Sequence, residues 1–265
     1  MKKRNIIAAL VLLAAIGLIG YSGSQIINVE RVYLEGDAAY DALRKQVRKT
    51  PSVDFLPGAQ QSDIDAGSVI TDEPPGYAPL PEIDYNALET INKNATAWLY
   101  CPDTMIDYPV MEASDYNYYL YHLPDGTQNA NGSLFIDYNC AADFSDPLTI
   151  IYGHHMKSGS MFGSLKGYNE QWYFNEHPYM YLYTRQGNYR IDLIYGCVIG
   201  AGQWRERAFM YAENVDALIA YAAYNTTFTS GAVYNKGDRV VALSTCSYEF
   251  DDARYVVLGI LKGVD

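Results

Sequence analysis

The sequence predicts a mainly β protein: a closed barrel of eight short strands, with helix at the N-terminus and one late helix before the last strands. Three observations carry this reading. From about residue 83, eight short apolar runs recur, split by turn residues, which is the pattern of a barrel. The chain holds 26 Tyr, and Tyr with Val, Ile and Thr favours pleated surfaces over helices. One stretch in the second half, residues 212–224, carries helical rather than strand periodicity.

The elements follow in chain order. Lys2, Lys3 and Arg4 precede a charge-free stretch from Asn5 to Val29, whose apolar heart is IIAALVLLAAIGLIG. As a helix, residues 5–29 are about 37 Å long, enough to cross the hydrocarbon layer. The expectation is a single-pass signal-anchor, with residues 1–4 as a cytoplasmic tail and residues 30–265 outside, because positive charge precedes the span. A cleaved signal peptide is the alternative. No small-x-small site directly follows the apolar run, GYSGS being the nearest approach, and no Cys near residue 20 offers a lipid site.

Residues 30–50 predict a short helix with Tyr40, Leu43 and Val47 on one face and Arg44, Lys45, Arg48 and Lys49 on the others. Pro51 opens a Pro-, Asp- and Gly-rich stretch to residue 82, which reads as an extracellular linker. The folded domain is expected over 83–265. Its strand runs are TAWLYCP, IDYPVM, GSLFIDY, LTIIYG, YMYLYT, YRIDLIYGCVIGA, RVVALSTC and YVVLGIL, with turns at Pro124-Asp125-Gly126, Gln186-Gly187-Asn188 and Lys236-Gly237-Asp238. In the late helix, Val215, Leu218, Ile219 and Ala222 keep helical spacing, and Asn214 or Glu213 serves its start.

A net charge of −12 argues against a nucleic-acid partner, since phosphate binding needs a basic face. Cysteines stand at 101, 140, 197 and 246, none in a C-x-x-C pair, so no zinc ribbon or thioredoxin motif is expected. The even count leaves two disulfides open. No cofactor and no metal are expected.

Three pieces carry candidate chemistry. In Ile150-Ile151-Tyr152-Gly153-His154-His155-Met156 an apolar strand ends at Gly and delivers His to its mouth. In Leu243-Ser244-Thr245-Cys246 another strand ends at Cys, and Arg254 opens the strand after it. A reactive Cys needs a neighbouring base or cation, because the thiolate is the nucleophile. His accepts and returns a proton, and Arg offers a fixed charge with forked donors for a developing oxyanion. Taken singly, each has an ordinary alternative: a buried small hydrophobe, a loop His, and a surface Arg paired with Asp251 or Asp252. Spacing alone does not bring the three together.

The segments YGHHMKSGSMFGSL and LSTCSYEFDDARYVVLGIL, with WLYCPDTMIDYPVM, DYNYYLYHLPDGTQNANGSLFIDYNC and SDPLTIIYGHHM, resemble the sortases, and specifically class B. The resemblance covers residues 83–265. The helix near residues 35–48 and the late helix also resemble those of that class. The implied fold is the eight-stranded sortase barrel. The implied activity is a cysteine transpeptidase: it cleaves a C-terminal sorting signal after Thr, holds the product as a thioester, and passes it to an amine on peptidoglycan or a pilin. The implied partners are secreted proteins bearing the signal, a peptidoglycan amine, and the membrane through the N-terminal helix.

By the same resemblance Cys246 matches the nucleophile, His154 its acid/base partner and Arg254 the cation, with Ser244 and Thr245 on the substrate side. His155 stands where relatives carry Asn, so two imidazoles are adjacent, and motif alignment selects His154. Successive residues of an extended strand face opposite ways, so the two cannot serve equally. Ala242 stands where Thr is frequent, and Leu258 where a polar residue or His is common. An L,D-transpeptidase or papain-like enzyme also pairs Cys with His, but a late Cys at a strand end disfavours both. Two further alternatives are a class C pilin polymerase, which usually adds a lid and a second C-terminal span, and a tethered binding module with a structural Cys.

Overall fold

A computed structural model describes residues 2–49, 81–204, 214–247 and 251–264. Nearly all of the Pro-rich stretch, and the first two residues expected in the late helix, lie outside the described residues.

The N-terminal helix is longer than the sequence predicts. The apolar run and the expected short helix are one element, α1 (Lys2–Val47). No Pro occurs within it, and Gly17, Gly20, Gly23 and Gly36 each cost a helix only about 1 kcal/mol, so nothing in the sequence forces a break. An i,i+4 pair, Arg31–Glu35 at 3.0 Å, stands just beyond the apolar run.

The last four turns of α1 dock on the rest of the protein. Tyr40, Leu43 and Val47 are buried, the face that the spacing predicts. Asn129 Nδ2 donates to the Val32 carbonyl at 2.9 Å, Asn131 Nδ2 to Asp37 at 2.9 Å, and Tyr40 OH to the Gly132 carbonyl. Arg44 and Arg48 converge on Asp107, which also accepts the indole N–H of buried Trp98 at 2.7 Å. A two-residue ribbon, β1 (Arg48–Lys49) against β2 (Glu82–Ile83), then leads into α2 (Tyr85–Ile91). Asp84 caps α2, its carboxylate accepting from the Asn86 and Ala87 N–H groups.

All eight predicted runs form strands: β3 (Ala95–Tyr100), β4 (Asp107–Glu112), β5 (Leu134–Ile136), β6 (Leu148–Tyr152), β7 (Tyr179–Thr184), β8 (Gly187–Gly200), β9 (Val240–Cys246) and β10 (Ala253–Val264). They close into one barrel in the order β10-β8-β7-β3-β4-β5-β6-β9. The pairs β4–β5 and β6–β9 are parallel and the others antiparallel. Closure leaves the barrel no edge strand for another chain to extend.

Alternation along the strands sorts side chains into three apolar layers. Inside the barrel lie Leu99, Val110, Leu134, Ile151, Leu182, Ile191, Leu243 and Val257. Outside it, Trp98, Met111, Phe135 and Tyr183 pack under α1 and α2. A short helix, α3 (Gln171–Glu176), precedes β7. On the other flank, Ile150, Ile194, Ala242, Val256 and Leu258 pack with α4 (Val215–Tyr224) through Leu218, Ile219 and Ala222. Asn214 caps α4, its side chain accepting from the Ala217 N–H. Between β10 and β8 the register shifts after Leu258. Gly259 follows the shift, where a Cβ would meet the Ile191 side chain.

Candidate active site

β6 and β9 run parallel, pairing Tyr152 with Ser244, and so end at the same rim of the barrel. β10 starts at that rim in the opposite direction, which sets Arg254 directly across from Cys246. The contact between β6 and β9 continues one residue beyond the ladder. The Gly153 N–H donates to the Ser244 carbonyl at 3.2 Å, and Thr245 Oγ1 donates to the Gly153 carbonyl at 2.8 Å. Gly is required at 153 because a Cβ would run into Leu134 and Phe162. Ala201 N–H bonds the Asp252 carbonyl at 2.8 Å and ties the end of β8 to the start of β10.

These strand ends border a cleft of about 330 Å³. His154, Cys246, Arg254, Ser244 and Thr245 all line it, together with Tyr116, Leu120, Tyr121, Phe135, Tyr152, Gly153, Ala201 and Trp204. His154, Cys246 and Arg254 are each half-buried.

His154 Nε2 lies 2.7 Å from the Leu120 carbonyl, in the turn Tyr118–Leu120. A carbonyl only accepts, so Nε2 carries the hydrogen and Nδ1 is left for proton exchange. His155 does not line the cleft, and its backbone instead bridges to Met161. Arg254 Nη1 donates to the Ala253 carbonyl at 3.0 Å. Among the described residues it forms no ion pair, and the ordinary pairing with Asp251 or Asp252 is absent.

All four cysteines are free thiols. Burial pushes the Cys101 and Cys140 thiols up to about 11, which leaves both protonated at neutral pH. Cys197 is buried in the layer under α4. Of the four, Cys246 alone lines the cleft.

The two expected substrate-side residues differ. Thr245 is 2% exposed and its hydroxyl proton is directed to Gly153, so it acts first on the strand register. Ser244 Oγ is buried without a hydrogen-bond partner among the described residues, as is the indole N–H of Trp204. Buried polar groups are nearly always paired, so two orphans on one cleft mark positions a bound polar group would satisfy. Trp204 and the aromatic wall of Tyr116, Tyr121, Phe135 and Tyr152 carry no isolated sequence signal. The run DYNYYLYHL supplies two of these tyrosines, yet its composition suits packing equally well. Among the described residues, no group of three His, Cys, Asp or Glu is arranged to hold a metal.

No protein-family model matches the chain. Sortase B of Listeria monocytogenes is 32% identical over 178 residues, which span 66% of this chain and 72% of that protein. The chain belongs to the class B sortases. Sortase B of Clostridium perfringens superposes with a TM-score of 0.63 at 24% identity, covering 69% of this chain and 100% of that one. The Staphylococcus aureus sortase B-substrate complex superposes at 0.62 with 22% identity, covering 68% and 85%. The closed eight-stranded barrel is therefore the class B sortase fold, and the enzyme is a cysteine transpeptidase. Class B membership sets aside the class C and tethered-binding assignments.

Proposed function

We propose that this sortase cleaves a C-terminal sorting signal after Thr and transfers the new acyl end to a cell-wall amine, working from a membrane anchor with its barrel outside the cell. The observation that carries the reading is the single cleft that Cys246, His154 and Arg254 share. In the proposed first step, the Cys246 thiol gives its proton to His154, its sulfur adds to the Thr carbonyl carbon, and Arg254 donates to the resulting oxyanion. The C–N bond breaks, the amine leaves with a proton from His154, and a thioester remains. In the second step an amine adds to the thioester, His154 takes a proton from it, and the sulfur leaves as the new amide forms. The S. aureus relative has been solved in complex with a substrate, which supports a substrate-binding role for this chain.

The anchor reading is supported by α1, which is long and apolar enough to cross a membrane. Its side chains Leu12, Leu13, Ile16, Leu18 and Ile19 are 57 to 73% exposed, and none of the described residues covers them. The test is a library of peptides with sorting-type motifs, incubated with the soluble domain and an amine and read by mass spectrometry. Cleavage after Thr with amide formation is expected, and none with Cys246→Ala. Turnover in that variant would end the mechanism.

A further inference from the structure

Behind the cleft wall lies a carboxylate that the chemistry above does not use. Asp137 follows β5 and is 3% exposed. Its Oδ2 accepts from Tyr152 OH at 2.9 Å and from Tyr116 OH at 3.1 Å. Its Oδ1 accepts from the Asn139 N–H at 3.0 Å and from Asn139 Nδ2 at 2.9 Å. Asn139 Nδ2 also reaches the Tyr116 hydroxyl at 3.3 Å. Among the described residues, no Lys, Arg or His pairs with this carboxylate. A buried anion held by neutral donors alone is costly to desolvate, and packing by itself does not require one.

Both tyrosines that converge on Asp137 line the cleft. Their rings meet edge to face at 5.9 Å, and Phe135 backs Tyr152 at 5.5 Å. Tyr152 is the last residue of β6 before Gly153 and His154. We propose that Asp137 is a positioning residue for the substrate, acting through Tyr116 and Tyr152: one carboxylate fixes both rings of the cleft wall. This rests on the reading of the cleft as the peptide site. Burial and the Asp137 charge raise both phenols well above the ordinary range, so each keeps its proton. A tyrosine has one hydroxyl proton, and here both are directed at Asp137. Tyr116 and Tyr152 therefore offer the peptide their ring surfaces and no hydroxyl donor. Donors at the cleft come instead from Ser244, Trp204, Tyr121 and Arg254.

The test uses the most rapidly cleaved member of the Thr-containing peptide library, with iodoacetamide as a substrate-free probe of Cys246. Asp137→Asn is expected to raise KM about tenfold, with kcat within about threefold and the alkylation rate of Cys246 unchanged. The Tyr116→Phe/Tyr152→Phe double variant should raise KM to a similar degree, and adding Asp137→Asn to it should do nothing more. An unchanged KM in Asp137→Asn overturns the proposal, as do additive effects or a parallel fall in alkylation. If Asp137→Asn does not fold, the double variant decides: a wild-type KM overturns the proposal. Cleavage that survives Cys246→Ala removes the cleft reading and this proposal together, whereas a dead Cys246→Ala with a normal Asp137→Asn removes only the latter.

Discussion

Cys246 differs from the chain's other thiols in its surroundings. Cys101 and Cys140 are held near 11 by burial, so at pH 8 only about one in a thousand is ionised. Brief treatment of native protein with iodoacetamide at pH 8 is expected to modify Cys246 and spare the other three, as read by peptide mass spectrometry. Equal labelling of Cys101 would remove the contrast. The adjacent imidazoles separate by position. His154→Ala is expected to lose on the order of 100-fold in rate, while His155→Asn stays near wild type. The reverse pattern would reassign the base. Arg254, free of carboxylate partners among the described residues, is proposed to act on the substrate carbonyl. Arg254→Ala should lose about 3 kcal/mol of transition-state stabilisation, and Arg254→Lys most of it, because Lys keeps the charge but not the fork. If Cys246 alkylation slows in step with turnover, Arg254 instead acts on the thiol. These three residues were legible because each stands at a strand end next to a change of pattern. Trp204 and Asp137 were not, since what marks them is an unpaired N–H and a converging pair of hydroxyls, which exist only after folding.

At the scale of elements, the strands were legible because each buries an alternating face and is bounded by turn residues. Their pairing was not. That β6 and β9 lie parallel and adjacent depends on contacts about ninety residues apart, and the site depends on that adjacency. The docking of α1 was half legible: spacing marked Tyr40, Leu43 and Val47, while the partner of its arginines was hidden. Asp107 joins Arg44, Arg48 and the buried Trp98 indole, so Asp107→Ala leaves that indole N–H without an acceptor. A loss of about 2 kcal/mol in unfolding free energy is expected, measurable by urea titration at pH 7. A change under about 0.5 kcal/mol would place Asp107 among ordinary surface charges. Gly153→Ala is expected to fold poorly or to disturb the His154 loop, because its Cβ has no space between Leu134 and Phe162. Wild-type melting and wild-type turnover in that variant would contradict the packing there.

For the molecule as a whole, the apolar helix and the short helix expected after it prove to be one element. A composition shift near residue 30 looked like a boundary, yet backbone hydrogen bonding does not register the change from apolar to charged side chains. The helix runs about 69 Å without a hinge and holds the barrel from Val32 onward, two residues past the first charge. With its apolar part in a bilayer, such a shaft works as a stilt: it sets how high the cleft stands, while the whole molecule stays free to spin about the helix axis. Each residue inserted between Val29 and Glu30 would lift the barrel about 1.5 Å. A seven-residue insertion should therefore impair the full-length enzyme on membrane-tethered substrates more than a two-residue one. All insertions should cleave a soluble peptide alike. Indifference to the number inserted would mean that the substrate's own tether, and not the stilt, sets how the two meet.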